Sequence, residues 1–139
     1  MIVVHIDGLC EPVNPGGTAT FGYVIRDDSG SILASRSGLV GEGPAMSNNL
    51  AEYAALCESL SFLLSKGRSG SPLEVKSDSR LVVYQMSEKW KFHGGLYAEK
   101  YHEAKRLAAK FSHLSFKWIP RKENEEADGL SREAYEKAL

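Results

Sequence analysis

Hydropathy alternates with a period of two across the first third of the chain and with a helical period across most of the rest. Between Thr18 and Arg26, the residues Ala19, Phe21, Tyr23 and Ile25 fall on one face, the pattern of a strand with one buried side. Asp27-Asp28-Ser29-Gly30 then supplies turn formers, and residues 31–40 read as the return strand of a hairpin. Residues 1–9 are rich in β-branched side chains and read as a buried strand ahead of the Asn14-Pro15-Gly16-Gly17 loop. Three strands so connected form an antiparallel meander. Its apolar face cannot stand in water, so the remainder of the chain must cover it.

The remainder is helical, interrupted by two short apolar runs. Gly41-Glu42-Gly43-Pro44 ends the sheet pattern, and Ser47, Asn48 and Asn49 are all N-cap types. Leu50, Ala54, Cys57, Leu60 and Leu64 recur at helical spacing, which predicts a helix to about Lys66, stopped by Gly67. Residues 73–77 read as a fourth strand, followed by a helix from about Ser79 to Trp90. His93-Gly94-Gly95 is a break, and Tyr97, Tyr101, Ala104, Ala108 and Phe111 mark one stripe of the next helix. Residues 114–119 alternate as a fifth strand ended by Pro120, with Trp118 expected in the core. Asn124 or a neighbour caps a last helix with Glu125 and Glu126 in its first turn, where the helix dipole favours them. Its charges Arg132, Glu133, Glu136 and Lys137 read as a solvated face. The order β-β-β-α-β-α-α-β-α, with right-handed crossovers, predicts one α/β domain over residues 1–139. Its five-stranded mixed sheet has three antiparallel strands, then two parallel ones, and is flanked by helices. Strand four then lies beside strand one.

Composition narrows the function classes. At 42% hydrophobic and 25% charged, the 139 residues suffice for one core and argue against disorder. A net charge of −1 gives no bulk basic footprint, so any nucleic-acid contact must come from local clusters. Cys10 and Cys57 are too few for a zinc site or a disulfide framework and fit a reducing, cytoplasmic setting. No apolar run approaches the ~20 residues of a membrane span, and residues 1–6 carry no basic leader. A monomer without an obligatory protein partner is expected.

Four acids carry the chemistry. Asp7 ends strand one, and Asp78 ends strand four at a strand-to-helix turn, the kind of crevice where α/β sheets hold ligands. Glu52 lies in the first turns of the first helix and Asp128 near the start of the last. Clustered carboxylates repel one another unless a cation joins them, and hard divalent cations select oxygen ligands.

In that order, Asp7-Gly8 with Asn14-Pro15-Gly16-Gly17, Ser47-Asn48-Asn49-Leu50-Ala51-Glu52, Ser77-Asp78-Ser79 and Glu123-Asn124-Glu125-Glu126-Ala127-Asp128 resemble the motifs of ribonuclease H type 1. The resemblance spans nearly the whole chain. It implies cleavage of the RNA strand of RNA/DNA hybrids with Mg²⁺ or Mn²⁺, leaving 5′-phosphate and 3′-hydroxyl ends. It further implies that Asp7, Glu52, Asp78 and Asp128 hold two metal ions. By the same resemblance, Gly8, Cys10, Asn14, Asn48, Asn49 and Asn124 contact the substrate, and Glu52 senses a ribose 2′-hydroxyl.

The chain departs from the family pattern in three places. The loop before the last acid commonly carries a mobile histidine; here it reads Pro120-Arg121-Lys122-Glu123, and Arg121 is the candidate substitute. An always-protonated guanidinium holds a phosphate but does not shuttle a proton. The usual basic helix and loop are reduced to Lys89-Trp90-Lys91-Phe92-His93, which predicts weaker hybrid binding with strong salt sensitivity. Trp90 there either stacks on the DNA strand or packs at a helix end. Arg80 replaces a frequent glutamine and offers a phosphate contact. Two competitors to the hybrid nuclease are a non-catalytic binding module of the same fold and a nuclease that also cuts double-stranded RNA.

Overall fold

The computed structural model describes residues 1–139. Its elements run β1 (Ile2–Glu11), β2 (Thr18–Arg26), β3 (Ile32–Glu42), α1 (Asn48–Ser65), β4 (Leu73–Ser77), α2 (Arg80–Met86), α3 (Ala98–Ala108), β5 (Leu114–Trp118) and, after a 3₁₀ turn at Arg121–Glu123, α4 (Glu125–Ala138). One sheet has the order β3-β2-β1-β4-β5. β1 and β2 are antiparallel, as are β2 and β3, whereas β4 runs parallel to β1 and β5 parallel to β4. The expected mixed sheet is therefore present, with β1 at its centre.

Local chemistry explains the element ends. Asp27 Oδ1 accepts from the backbone N–H groups of Ser29 (2.9 Å) and Ser31 (3.0 Å), closing the β2–β3 turn. Ser47 caps α1 by accepting from Leu50 N at 3.1 Å, and Gly67, at φ +70°, lies just past its end. α2 is shorter than its apolar pattern predicts. Glu88 adopts φ 62°, and Lys89 N and Trp90 N both turn back to Tyr84 O, at 2.8 and 3.0 Å. Trp90 belongs to this reversal instead of to the helix.

Two layers cover the sheet. α1 lies across one face and is itself covered by α3, so Leu50, Tyr53, Leu56, Leu60 and Leu63 are all buried. Tyr53 is stacked on Tyr97 at 5.5 Å and meets Tyr101 edge-on at 5.7 Å. Each large apolar side chain so buried contributes about 1.5–3 kcal/mol. α4 covers the other face, packing on β1, β2 and β3. β2 is consequently buried on both sides, although its alternation suggests one. Thr20, on its polar-looking face, donates to Ser131 O of α4 at 2.7 Å. No helix is long and apolar enough to cross a membrane.

Candidate active site

Two glycines set where the helices lie. A Cβ at Gly8 would fall 2.4 Å from Ala51 C and 2.5 Å from Glu52 N, so only glycine lets α1 rest on β1 at this height. A Cβ at Gly22 would fall 2.6 Å from Ala127 O on the opposite face. Gly8 thereby brings Glu52 down beside Asp7, and Gly22 does the same for Asp128. The β1–β4 register pairs His5 with Lys76. Continued by two residues, it sets Asp78 next to Asp7.

Asp7, Glu52 and Asp78 converge so closely that one carboxylate oxygen from each lies within 4.8 Å of the others. Burial pushes the Asp7 carboxyl up to about 7, with Asp78 and Asp128 adding to the effect. Burial likewise raises Glu52 well above the ordinary range, reinforced by Asp7 and Asp78 and opposed by the Gly8 N–H. Asp78 is raised chiefly by burial and is countered by the Asn124 amide and the Arg121 charge. Glu52 Oε2 is buried with no hydrogen-bond partner. Such an oxygen is costly to leave unpaired, and a cation satisfies it. A donor set made only of carboxylate oxygens suits Mg²⁺ or Mn²⁺, so these residues fit a divalent ion.

Asp128 stands slightly apart from this trio. Its carboxylate is drawn to Arg132 Nε at 3.3 Å and lies 3.8 Å from Arg121, while its charge still bears on Asp7. Arg132 also reaches Glu11 at 3.6 Å. These groups, with Gly8, Cys10, Asn48 and Trp118, line a cleft of about 460 Å³. Its rim carries the exposed Arg121, and its floor is acidic.

Comparison with known proteins agrees with this geometry. Residues 6–134 match the family model described as reverse transcriptase-like. A bifunctional protein of Mycobacterium tuberculosis is 32% identical over 137 residues, 99% of this chain; the chain spans 36% of that protein's length. Ribonuclease HI of Halobacterium salinarum is 33% identical over 125 residues, 90% of this chain and 60% of its own. The solved structure of LC11-RNase H1 in complex with RNA/DNA hybrid superposes with a TM-score of 0.89 at 34% identity, covering 100% of this chain and 99% of that one. The chain belongs to the type 1 ribonuclease H family.

Within that family's frame, the predicted residues other than Asn124 divide into three groups. Asp7, Glu52, Asp78, Asp128, Arg121, Gly8, Cys10 and Asn48 all line the cleft. The Cys10 thiol points inward, donating to Val13 O at 3.3 Å, so the residue meets the cleft through its backbone. Asn14 Oδ1 accepts from Asn48 N at 2.9 Å, which clips the β1–β2 loop to the start of α1, and Asn49 is exposed beside it. Arg80 and Trp90 lie further out. Arg80 stacks over the Trp118 ring at 4.6 Å, and Trp90 packs edge-on against Tyr84 at 5.0 Å while staying 48% exposed.

Three assignments are corrected. Asn124 is only 1% exposed and donates to Ile6 O at 2.8 Å, so it braces β1 and steadies Asp78 in place of touching substrate. Trp118 is half-buried at the cleft wall, where its Nε1 donates to Asp78 O at 3.1 Å. Alternation in β5 places it on the apolar face but gives no sign that this face opens at the strand end. Arg132 is only partly on a solvated face: its side chain stays 43% exposed, yet one helical turn beyond Asp128 it pairs with that acid at the cleft. The i,i+4 spacing of Asp128 and Arg132 is the available signal. Ser131 carries no mark in the sequence; its hydroxyl lies 3.1 Å from Asp7 Oδ2 and is fully buried.

Proposed function

We propose that this protein hydrolyses the RNA strand of RNA/DNA hybrids by a two-metal-ion mechanism, giving 5′-phosphate and 3′-hydroxyl ends. The observation that carries this reading is the convergence of Asp7, Glu52 and Asp78 within 4.8 Å, with Glu52 Oε2 buried and unpartnered. A module that only bound hybrids would have no use for three mutually repelling, largely buried carboxylates. LC11-RNase H1 was solved in complex with an RNA/DNA hybrid, and the same class of substrate is assigned here.

In this reading, Asp7, Glu52, Asp78 and Asp128 hold Mg²⁺, with Mn²⁺ able to substitute. Bound divalent ions would make a coordinated water more acidic and would stabilise the charge on the departing 3′-oxygen. The chain's own groups bind and orient the substrate. Asn14, Asn48 and Asn49 present amides at the α1 end of the cleft, and Arg80 and Arg121 offer guanidinium groups to phosphates. The protein acts on its substrate as a monomer, in the cytoplasm.

Arg121 holds the scissile phosphate as a permanent cation without moving a proton. Arg121→Ala therefore lowers turnover about tenfold or more, the weight of one charge-assisted hydrogen bond, and leaves hybrid affinity nearly unchanged. Steady-state kinetics with parallel binding titrations read the two effects separately. Unchanged turnover would remove Arg121 from the mechanism.

A further inference from the structure

Gln85, on α2, is 2% exposed, and its side-chain amide is shared among three other parts of the chain. Tyr53 Oη on α1 donates to Gln85 Oε1 at 2.7 Å. Gln85 Nε2 donates to Tyr97 Oη, at the start of α3, at 3.0 Å, and to Lys91 O at 3.4 Å. A buried amide is tolerated only when its bonds are made, and a fully satisfied one specifies a single arrangement of its neighbours.

The segment that this amide grips has no regular structure of its own. After α2 ends at Met86, residues 87–96 carry Lys89, Trp90, Lys91 and His93 outward. Phe92 is the inward anchor, stacked on Tyr101 at 4.1 Å and edge-on to Tyr97 at 5.6 Å. An aromatic anchor fixes depth, but it leaves sliding and rotation of the segment less defined than a directional hydrogen bond does. The Lys91 carbonyl supplies that bond. The other end of the network is Tyr53, the residue after Glu52, so the amide connects the basic segment to the turn of α1 that carries a site acid.

We propose that Gln85 is a positioning residue that holds the basic segment 89–93 in register with the Glu52 turn, and so sets how a hybrid is gripped without taking part in its cleavage. This rests on the function proposed above.

The test uses Gln85→Leu, which removes all three bonds at similar volume, and Tyr97→Phe, which removes one bond isosterically. kcat and KM for a labelled RNA/DNA hybrid are measured at two salt concentrations, at a temperature where circular dichroism shows each variant folded. Amide hydrogen exchange is followed in parallel. Gln85→Leu is expected to raise KM about fivefold or more with kcat within about twofold, and Tyr97→Phe to do so more weakly. Exchange should quicken over residues 88–94 and stay unchanged around Glu52. A merely structural glutamine would lower the melting temperature and leave KM alone, and that result overturns the proposal; so does a fall in kcat equal to the rise in KM. Should Gln85→Leu fail to fold, Tyr97→Phe decides by the same criteria. A wild-type chain that leaves hybrid intact defeats the nuclease reading alone. Hybrid affinity by fluorescence anisotropy then judges Gln85: weaker binding in the variants supports its role, and equal binding overturns it.

Discussion

Asp7→Asn is expected to abolish hybrid cleavage and, in the same molecule, to make the metal-free protein harder to unfold. Asp7 is buried at the meeting point of Glu52, Asp78 and Asp128, and Ser131 lies 3.1 Å from its Oδ2. Asparagine keeps the shape and an acceptor for Ser131 but removes the charge that a cation needs. Loss of this one group should cost at least about 10²–10³ in turnover. The stability effect follows from proton linkage. An unfolded aspartate ionises near 3.9, whereas the folded Asp7 carboxyl is pushed up to about 7, first by burial and then by its acidic neighbours. The folded state therefore keeps a proton that the unfolded chain has lost. The associated stability is present in full below the unfolded value and disappears as pH rises through about 7. Glu52 and Asp78 shift in the same direction and add to the slope. Asparagine carries no such penalty, so the advantage of Asp7→Asn should be small near pH 5 and reach about 1–3 kcal/mol near pH 8. Urea melts at the two pH values, with chelator present, read it directly. Added Mg²⁺ should stabilise the native chain and leave the variant nearly unmoved, because only a bound ligand shifts unfolding. A variant that cleaves at the native rate would remove Asp7 from the site, and a variant advantage that shrinks with rising pH would contradict the electrostatic origin of the effect.

Gly8→Ala should be nearly as damaging to activity, for a reason that involves no charge. The added methyl would sit 2.4 Å from a backbone carbon of α1, an atom that cannot swing aside as a side-chain tip can. α1 is buried against the sheet on one side and α3 on the other, so it can move only by opening one of those contacts. Overpacking of this kind costs about 3 kcal/mol. The displaced helix carries Glu52 away from Asp7, and a shift on the order of 1 Å at such a site costs about 10²-fold in rate. Gly129→Ala is the matched control. Its Cβ meets no atom within 4 Å and lies in α4, so it should raise stability by about 0.5–1 kcal/mol. Thermal melts and hybrid turnover for both variants check the contrast. Native turnover in Gly8→Ala would show that close contact between α1 and β1 does not place Glu52.

What is legible in the sequence, and what is not, divides along physical lines. β2 and β4 match their expected limits because alternation and flanking turn residues are local signals, and Ser47 is a local cap. The neighbourly placement of Asp7 and Asp78 follows from chain order and crossover handedness alone. Misreadings arise where a second layer intervenes. α4 buries the polar-looking face of β2, and Thr20 bonds that helix. Arg132 has the composition of a surface residue but projects from α4 into the cleft beside Asp128. Asn124 reads as a contact residue, and its side chain instead braces Ile6 O. The reversal after Met86 depends on Glu88 adopting φ 62°, which no apolar pattern announces. Periodicity reports which side chains share a face, and it is silent on what lies above that face.

Hybrid cleavage by metal held among these acids can be read in one assay. RNA labelled at one end, alone or annealed to complementary DNA, is incubated with the purified protein and Mg²⁺ or Mn²⁺, with and without chelator. Internal cuts are expected in the RNA strand of the hybrid and none in RNA alone, with cleavage lost both with chelator and in Asp7→Asn. A folded protein that leaves the hybrid intact with either ion present would contradict the assignment.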